Sequence, residues 1–377
     1  MLIFATEDLE VWLKKVKKIK ILHVFDNLNI GGAETLIMNI FREIHTSFIF
    51  DFIVHTNIKG IYEDEIIKLG GNIYRFDKFK LFNYKSYKSQ WRDFLKANKG
   101  IYSIVHGHLR ITASIYSKIC SEFNQKIIIH SHSTSAGISI KGIIKKMLFL
   151  PLKSTKAGKI ACSKQACNWL FGKNNDCFIL NNGVDFSRFA YSAEYNKSYR
   201  DEFSLNQTDI VLGHIGRFDN PKNQIFLLKI LRELPSQYKL VLVGDGKTRK
   251  KCTKFSIKEK IYSRVVFTGV RKDVNKLMSC FDVFVFPSKY EGLPVTLIEA
   301  QAARIRCIIS KNITDEAIIT KNSVIKIGIT SREIKNWVNK IVEMDIDRLN
   351  DDYLDSSFDI FNVSKSLESY YRSILNE

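Results

Sequence analysis

Residues 281–310, FDVFVFPSKYEGLPVTLIEAQAARIRCIIS, decide the fold. FDVFVFPS is an aromatic and β-branched run with the length of a buried strand. KYEGLP follows as a Gly/Pro turn, and Pro294 suits the first turn of a helix. The helical stretch gives way to IRCIIS, a second short apolar strand. Strand, loop, helix, strand is the repeating unit of a parallel sheet covered by helices on both faces. Glu291 falls in the loop beyond the first strand's carboxyl end, and Glu299 lies more than a turn into the helix.

The same alternation extends over nearly the whole chain. KIKILHVF, FIFDFIVH, GNIYRF, YSIVHGH, QKIIIHSH, GKIACS and CFILNN read as strands separated by amphipathic runs. After the polar stretch 182–208 the pattern restarts with DIVLGHIGR, YKLVLVGDG, SRVVFTG and the opening segment. The expected fold is α/β, with two doubly wound Rossmann-like domains facing a central cleft. They are placed at 1–190 and 191–360, with a terminal helix at 361–377 packing back towards the first. Open parallel sheets take ligands beyond the carboxyl ends of their strands, so the chemistry is expected there.

The bulk properties agree. A chain of 377 residues, 45% hydrophobic, can bury two cores. No apolar run approaches the roughly 20 residues of a spanning helix, and the N-terminus lacks the pattern of a secretory signal. A cytoplasmic protein, peripheral at the inner face of the cell membrane, is expected. Seven cysteines lie scattered without a C-x-x-C pair, which gives no sign of zinc or a redox centre and suits a reducing compartment.

The formal charge of +19 is uneven. Between positions 123 and 175 there is no Asp or Glu, while nine lysines fall there. Within that segment, residues 139–159 interleave lysines with Ile, Met, Leu and Phe. This suits either a core-packed helix with a lysine-rich face or a contact with anionic membrane. KTRKKCTKFSIKEK reads as a solvated helix face. No nucleic-acid module or aromatic-basic platform is present, so nucleic acid is not an expected partner.

Several strand ends carry chemistry. Gly31 and Gly32 permit a tight turn before a helix starting near Ala33. Arg217 and Lys222 bracket the end of HIGR, with Lys222 expected in the first turn of a helix opening at Pro221. A cation there opposes the dipole unless a polyanion lies between the two. The segment Gly292, Leu293, Pro294 and Val295 offers a diphosphate its backbone N–H groups, the proline supplying none, and Glu299 can accept from two ribose hydroxyls.

Jointly, IGGAE, HSHS, ACSKQACNWLFG, ILNNGVDFSRF, GRFDNPKN, LVGDG, VVFTGVRKDV and EGLPVTLIEAQAA resemble retaining glycosyltransferases of family 4, with the GT-B fold, over nearly the whole chain. The resemblance is greatest to bacterial enzymes of capsule, exopolysaccharide and O-antigen synthesis. It implies an acceptor-binding first domain and a nucleotide-sugar-binding second domain. Glu291 and Glu299 match the E-x7-E motif, with Glu299 on the ribose and Glu291 facing the donor sugar. Arg217 and Lys222 match the pair that neutralises the leaving diphosphate. Val270 and Arg271 match the segment whose backbone reads the base. Gly31 and Gly32 match the glycine loop, and His130 the active-site histidine, with His132 its neighbour. A UDP-sugar donor, a lipid-linked glycan acceptor, and no metal or other cofactor are implied. Two alternatives share the architecture: a nucleotide-sugar epimerase and a catalytically inactive scaffold. The sequence departs from the family at Arg304, where a glycine usually stands, which puts the helix-to-strand turn in question. The D-x-D match at Asp345 to Asp347 reads as helix-end solvation.

Overall fold

In the computed structural model, residues 18–132, 152, 156–173, 175–320, 323–349 and 354–376 are described. The chain divides into two units, one of Met1–Gly183 with Ile360–Glu377 and one of Val184–Asp359.

The first unit is built on seven strands: β1 Ile19–Phe25, β2 Phe48–Val54, β3 Ile73–Arg75, β4 Ile104–Gly107, β5 Ile127–Ser131, β6 Gly158–Ala161 and β7 Phe178–Ile179. They run parallel in the order β3-β2-β1-β4-β5-β6-β7. β1 and β2 are apolar apart from Lys20, His23 and Asp51 because both faces of the sheet are covered. On one face Ile21, Phe50, Ile104 and Ile128 pack with the helix Gly32–Ile44 and the terminal helix Ile360–Asn376. On the other, Leu22, Ile53 and Val105 meet Trp91 and Tyr116 from the helices Tyr84–Ala97 and Arg110–Glu122. Tyr371 of the terminal helix is fully buried against Phe48 and Phe50. That helix is therefore part of the first unit's core although it follows the whole second unit in sequence. Cys167 and Cys177 are joined by a disulfide, which their ten-residue spacing alone did not mark.

The second unit has six parallel strands: β8 Ile210–Ile215, β9 Tyr238–Val243, β10 Val265–Gly269, β11 Val283–Phe286, β12 Arg306–Ser310 and β13 Val324–Ile327, in the order β10-β9-β8-β11-β12-β13. β13 has no counterpart in the sequence reading: VIKI is short and its lysine breaks the apolar run. The polar stretch after residue 183 also proves structured. It carries the helix Ala193–Glu202, anchored by the buried Arg200, whose guanidinium meets the Asp282 carboxylate at 3.0 Å.

Two local expectations are corrected or resolved. Lys222 is not in the first turn of a helix: the helix is Gln224–Glu233, and Asn223 precedes it in the left-handed conformation at φ 58°. The Lys222 amide donates instead to the Asp219 carboxylate at 3.2 Å, so the segment is a side-chain-capped turn and the helix dipole does not act on Lys222 as supposed. At Arg304 the helix-to-strand turn forms as it would with glycine, with Arg304 itself at φ 61°. The lysine-rich helix Arg249–Lys258 buries only Cys252 and Ser256, as a solvated face should. Asp345 pairs with Arg306 at 2.9 Å and accepts from the Asp347 amide, beyond the end of the helix Ile334–Val342.

No helix among the described residues is long and apolar enough to cross a membrane. Of the basic segment 139–159, residues 139–151 and 153–155 lie outside the described residues.

Candidate active site

In the second unit, β8 and β11 are neighbours, so the loops beyond their carboxyl ends run side by side. The Lys289 amide donates to the Pro221 carbonyl at 2.8 Å, and the Asn223 side-chain amide to the Pro287 carbonyl at 3.3 Å. This stitching brings together two residues that are 69 positions apart in sequence. The Lys222 ammonium lies 2.8 Å from a Glu291 carboxylate oxygen, with both side chains less than a fifth exposed. The same ammonium stands 4.8 Å from the centre of the Phe286 ring, a cation–π contact. Gly216 lets the lysine reach this position: a Cβ there would lie 3.2 Å from Lys222 Cδ.

Arg217 is exposed and makes no ion pair among the described residues. Its backbone is fixed from below, because the Gln224 side-chain amide donates to its carbonyl at 2.9 Å. Gln224 in turn sits 3.4 Å from Nε2 of His214, whose Nδ1 faces the Val285 carbonyl at 2.9 Å. Burial lowers His214 to about 4, and a neutral ring can donate from Nδ1 while accepting at Nε2.

Glu299 projects from the helix Val295–Ala302, which starts after the buried Pro294 with no side-chain cap on its first amides. Desolvation pushes its carboxyl up to about 7, opposed by the charge of Arg188. Gly292 is exposed, while Leu293 and Val295 pack on the cluster around Ile298 and Phe358. Val270 is 78% exposed. The Arg271 side chain is occupied elsewhere: it pairs with Glu202 and Asp273, both at 2.7 Å, and lies over the Tyr199 ring. Arg271 and the Tyr199 hydroxyl together hold the Asp273 carboxyl down at about 2. Arg271 thus stiffens the loop through its side chain, leaving the backbone of 270–271 outward.

In the first unit, Gly31 precedes the helix Gly32–Ile44, and the Glu34 carboxylate folds back over it, where a Cβ would collide. Burial raises the Glu34 carboxyl. His130 is completely buried, and neither ring nitrogen has a hydrogen-bond partner. It belongs to a cluster of five imidazoles with His23, His106, His108 and His132, its ring centre 3.8 Å from that of His132. Burial takes His23 down to about 3 and His106, His108 and His130 well below the usual value. A cavity of about 310 Å³ opens beside the cluster, lined by Asp26, His55, Lys78, Phe79, His108 and Thr112. Asp26 and Lys78 pair across it at 3.1 Å.

Glu34 and the histidines other than His130 and His132 were missed in the sequence. For His106 and His108 a signal was present: H-x-H recurs at 106–108 and 130–132, at the ends of two adjacent strands, where alternation puts both members on one face; Glu34 and His23 carry no such signal.

Two Rossmann-like units, with a glutamate and cations at the strand ends of the second, fit a glycosyltransferase, and comparison with known proteins places the chain among these enzymes. Residues 196–352 match the family described as glycosyl transferases group 1. The chain belongs to that family: it is 32% identical over 334 residues, 85% of this chain and 86% of its relative, to a Bacillus subtilis (strain 168) protein named as glycosyltransferase EpsF. It is 26% identical, over 94% of this chain and 99% of the relative, to the Staphylococcus aureus capsular polysaccharide biosynthesis glycosyltransferase CapH. A shorter match, 27% identical over 45% of this chain and 46% of the relative, is to an Escherichia coli UDP-Gal:alpha-D-GlcNAc-diphosphoundecaprenol alpha-1,3-galactosyltransferase. The Anabaena protein HepE, solved in complex with UDP and glucose, superposes with a TM-score of 0.77 at 16% identity, over 94% of this chain and all of that one. That likeness establishes the shared GT-B fold.

Proposed function

We propose that the chain is a retaining, family 4 hexosyl- or N-acetylhexosaminyltransferase that moves a sugar from a UDP-sugar to a growing, lipid-linked surface polysaccharide. The observation that carries this is the close pairing of Lys222 with Glu291 beside Arg217. A cation for the leaving group and a carboxylate for the sugar sit within one ion pair of each other.

In the proposed reaction the bond from the anomeric carbon to the β-phosphate oxygen breaks. Negative charge grows on that oxygen, where Lys222 and Arg217 stabilise it. The anomeric carbon becomes cation-like, and Glu291 stabilises it electrostatically. The acceptor hydroxyl attacks from the face the phosphate leaves, gives its proton to the departing phosphate, and anomeric configuration is retained. Glu299, as carboxylate, holds the ribose, and the exposed backbone at Val270 and Arg271 reads the base. The first unit's cavity takes the acceptor glycan. No metal is needed on the diphosphate, since Arg217 and Lys222 supply the positive charge. The Escherichia coli relative's name, with a UDP-sugar and a diphosphoundecaprenol acceptor, supports both substrates, and UDP in the HepE structure supports the donor nucleotide. The basic segment 139–159 gives the chain a peripheral contact with anionic membrane at the cytoplasmic face.

The test is a donor panel of UDP-glucose, UDP-galactose, their N-acetylhexosamine counterparts and GDP-mannose, with and without lipid-linked acceptors and with no added Mg2+ or Mn2+. Release of UDP from one donor, lost in Glu291→Ala and Arg217→Ala, is the expected result. Interconversion of donor epimers without transfer would favour an epimerase. No turnover of any donor with any acceptor would leave a scaffold.

A further inference from the structure

We propose that His23, His106 and His108 form a binding site for a single d-block divalent cation of the Zn2+ class, built into the first unit's sheet. The three come from β1 and from the end of β4, where His23 and His106 are direct register partners. Their rings lie on the face that elsewhere carries Ile21, Phe50, Ile104 and Ile128. Where that pattern calls for apolar side chains, the sequence instead supplies imidazoles that are 0%, 0% and 8% exposed. Burying a ring nitrogen without a partner is costly, so a nitrogen left unpaired in such a cluster asks for a ligand. An orphan atom marks where it goes: Nε2 of His106 is buried with no hydrogen-bond partner.

The geometry suits a cation. The three rings offer nitrogens within 4.8 Å of one another. His23 Nδ1 and His108 Nε2 are 3.0 Å apart, close to the roughly 3.3 Å kept by two nitrogens each about 2.0–2.1 Å from a tetrahedral metal. The outer contacts have the arrangement that orients ligating imidazoles. Nδ1 of His106 is engaged by the Tyr371 hydroxyl at 2.6 Å, and Nδ1 of His108 by His132 Nε2 at 2.7 Å. In His106 and His108 the Nδ1 atom is held from behind and Nε2 is left to the metal, while His23 turns Nδ1 towards His108 Nε2 and offers that atom. His108 also lines the 310 Å³ cavity, which supplies an entry path and a fourth coordination position. An all-imidazole set selects Zn2+, Co2+, Ni2+ or Cu2+ over Mg2+ and Ca2+, which take oxygen ligands, so this site is distinct from a diphosphate-bound metal. Through His108 the cation would fix the ring of His132, next to His130.

The experiment is a Co2+ titration of protein made without a histidine tag, stripped with chelator and desalted. One equivalent of Co2+ should give the visible absorption of a low-coordinate imidazole complex, displaced stoichiometrically by Zn2+. His106→Gln and His23→Gln should each weaken binding by more than about 100-fold, and Tyr371→Phe by about 10-fold or more. His45→Gln and His214→Gln should leave it unchanged. If a variant does not fold, X-ray absorption of the Zn2+-loaded wild type decides: three imidazole nitrogens support the site. Absence of a saturable Co2+ spectrum, persistence of it in the His23→Gln/His106→Gln double variant, or an oxygen-dominated zinc environment would each overturn it. Because no donor sugar is involved, the outcome does not depend on the transferase reaction.

Discussion

The Lys222 ammonium and the Glu291 carboxylate stand 2.8 Å apart across two loops that follow neighbouring strands. In the ligand-free chain each neutralises the other, and neither is left as a bare, half-buried charge. A diphosphate arriving at Lys222 and Arg217 would compete for the lysine and free the carboxylate to face the sugar. In the proposed reaction the pair is a resting arrangement that the donor's diphosphate opens.

Removing either partner therefore has two effects, loss of a reacting group and exposure of an unpaired charge. Glu291→Ala and Lys222→Ala should each lower kcat by about 10²–10³-fold. The double variant should lose much less than the product of the two, because the residues act as one unit. Steady-state kinetics of the four proteins with the preferred donor checks this; multiplicative losses would show that the residues act separately.

The strands were legible because buried parallel strands are short, mainly apolar runs, and twelve of the thirteen are visible as such despite single charges such as Lys20, Asp51, Lys159 and Lys239. β13 was not, since VIKI has only three apolar residues and lies at the sheet's edge, where its Lys326 reaches the Ile313 carbonyl and the Asp315 carboxylate. The loop residues Glu291, Lys222 and Arg217 could be chosen by type and spacing, but their mutual distance depends on which strands are neighbours. Strand order is a long-range property that no local pattern carries. The left-handed Asn223 escaped notice for the opposite reason: asparagine tolerates that conformation so readily that nothing in PKNQ forces it. The histidine ladder was readable only in part, because His23 joins it through register with β4.

Arg304 occupies a position at φ 61°, where a Cβ is strained and glycine is not. Arg304→Gly should relieve about 1 kcal/mol and raise Tm by about 2–4 °C. Arg304→Ala should bring no such gain, since its Cβ remains. Thermal unfolding of the three proteins separates a backbone effect from one of the arginine side chain.

The acid-free segment between positions 123 and 175 predicts salt-sensitive association with anionic lipid. In flotation with vesicles containing phosphatidylglycerol, wild-type protein should float at low salt and progressively less as ionic strength rises. Replacing Lys141, Lys145 and Lys146 together should reduce the bound fraction, each lysine contributing up to about 1 kcal/mol. Protein that stays unbound at low salt would remove the membrane contact from the proposed function.

Glu299 makes stability and ligand binding depend on pH in opposite senses. Its carboxyl rises from 4.5 to about 7 in the folded, ligand-free protein, so the native state keeps a proton that the unfolded chain has lost. Above pH 4.5 stability should therefore fall as pH rises, with the penalty complete above about 7. Glu299→Gln removes that penalty and should raise Tm relative to wild type at pH 8 but not at pH 4.5 or below. Holding ribose hydroxyls requires the carboxylate, so UDP affinity of the wild type should increase through pH 7 by more than that of Glu299→Gln, which should be weaker and gain only what the second ionisation of UDP's terminal phosphate at about pH 6 brings. Calorimetric titration with UDP at pH 6 and 8, beside thermal unfolding at the same values, reads both effects. A wild-type UDP affinity that does not change between the two would mean that Glu299 does not touch the ribose.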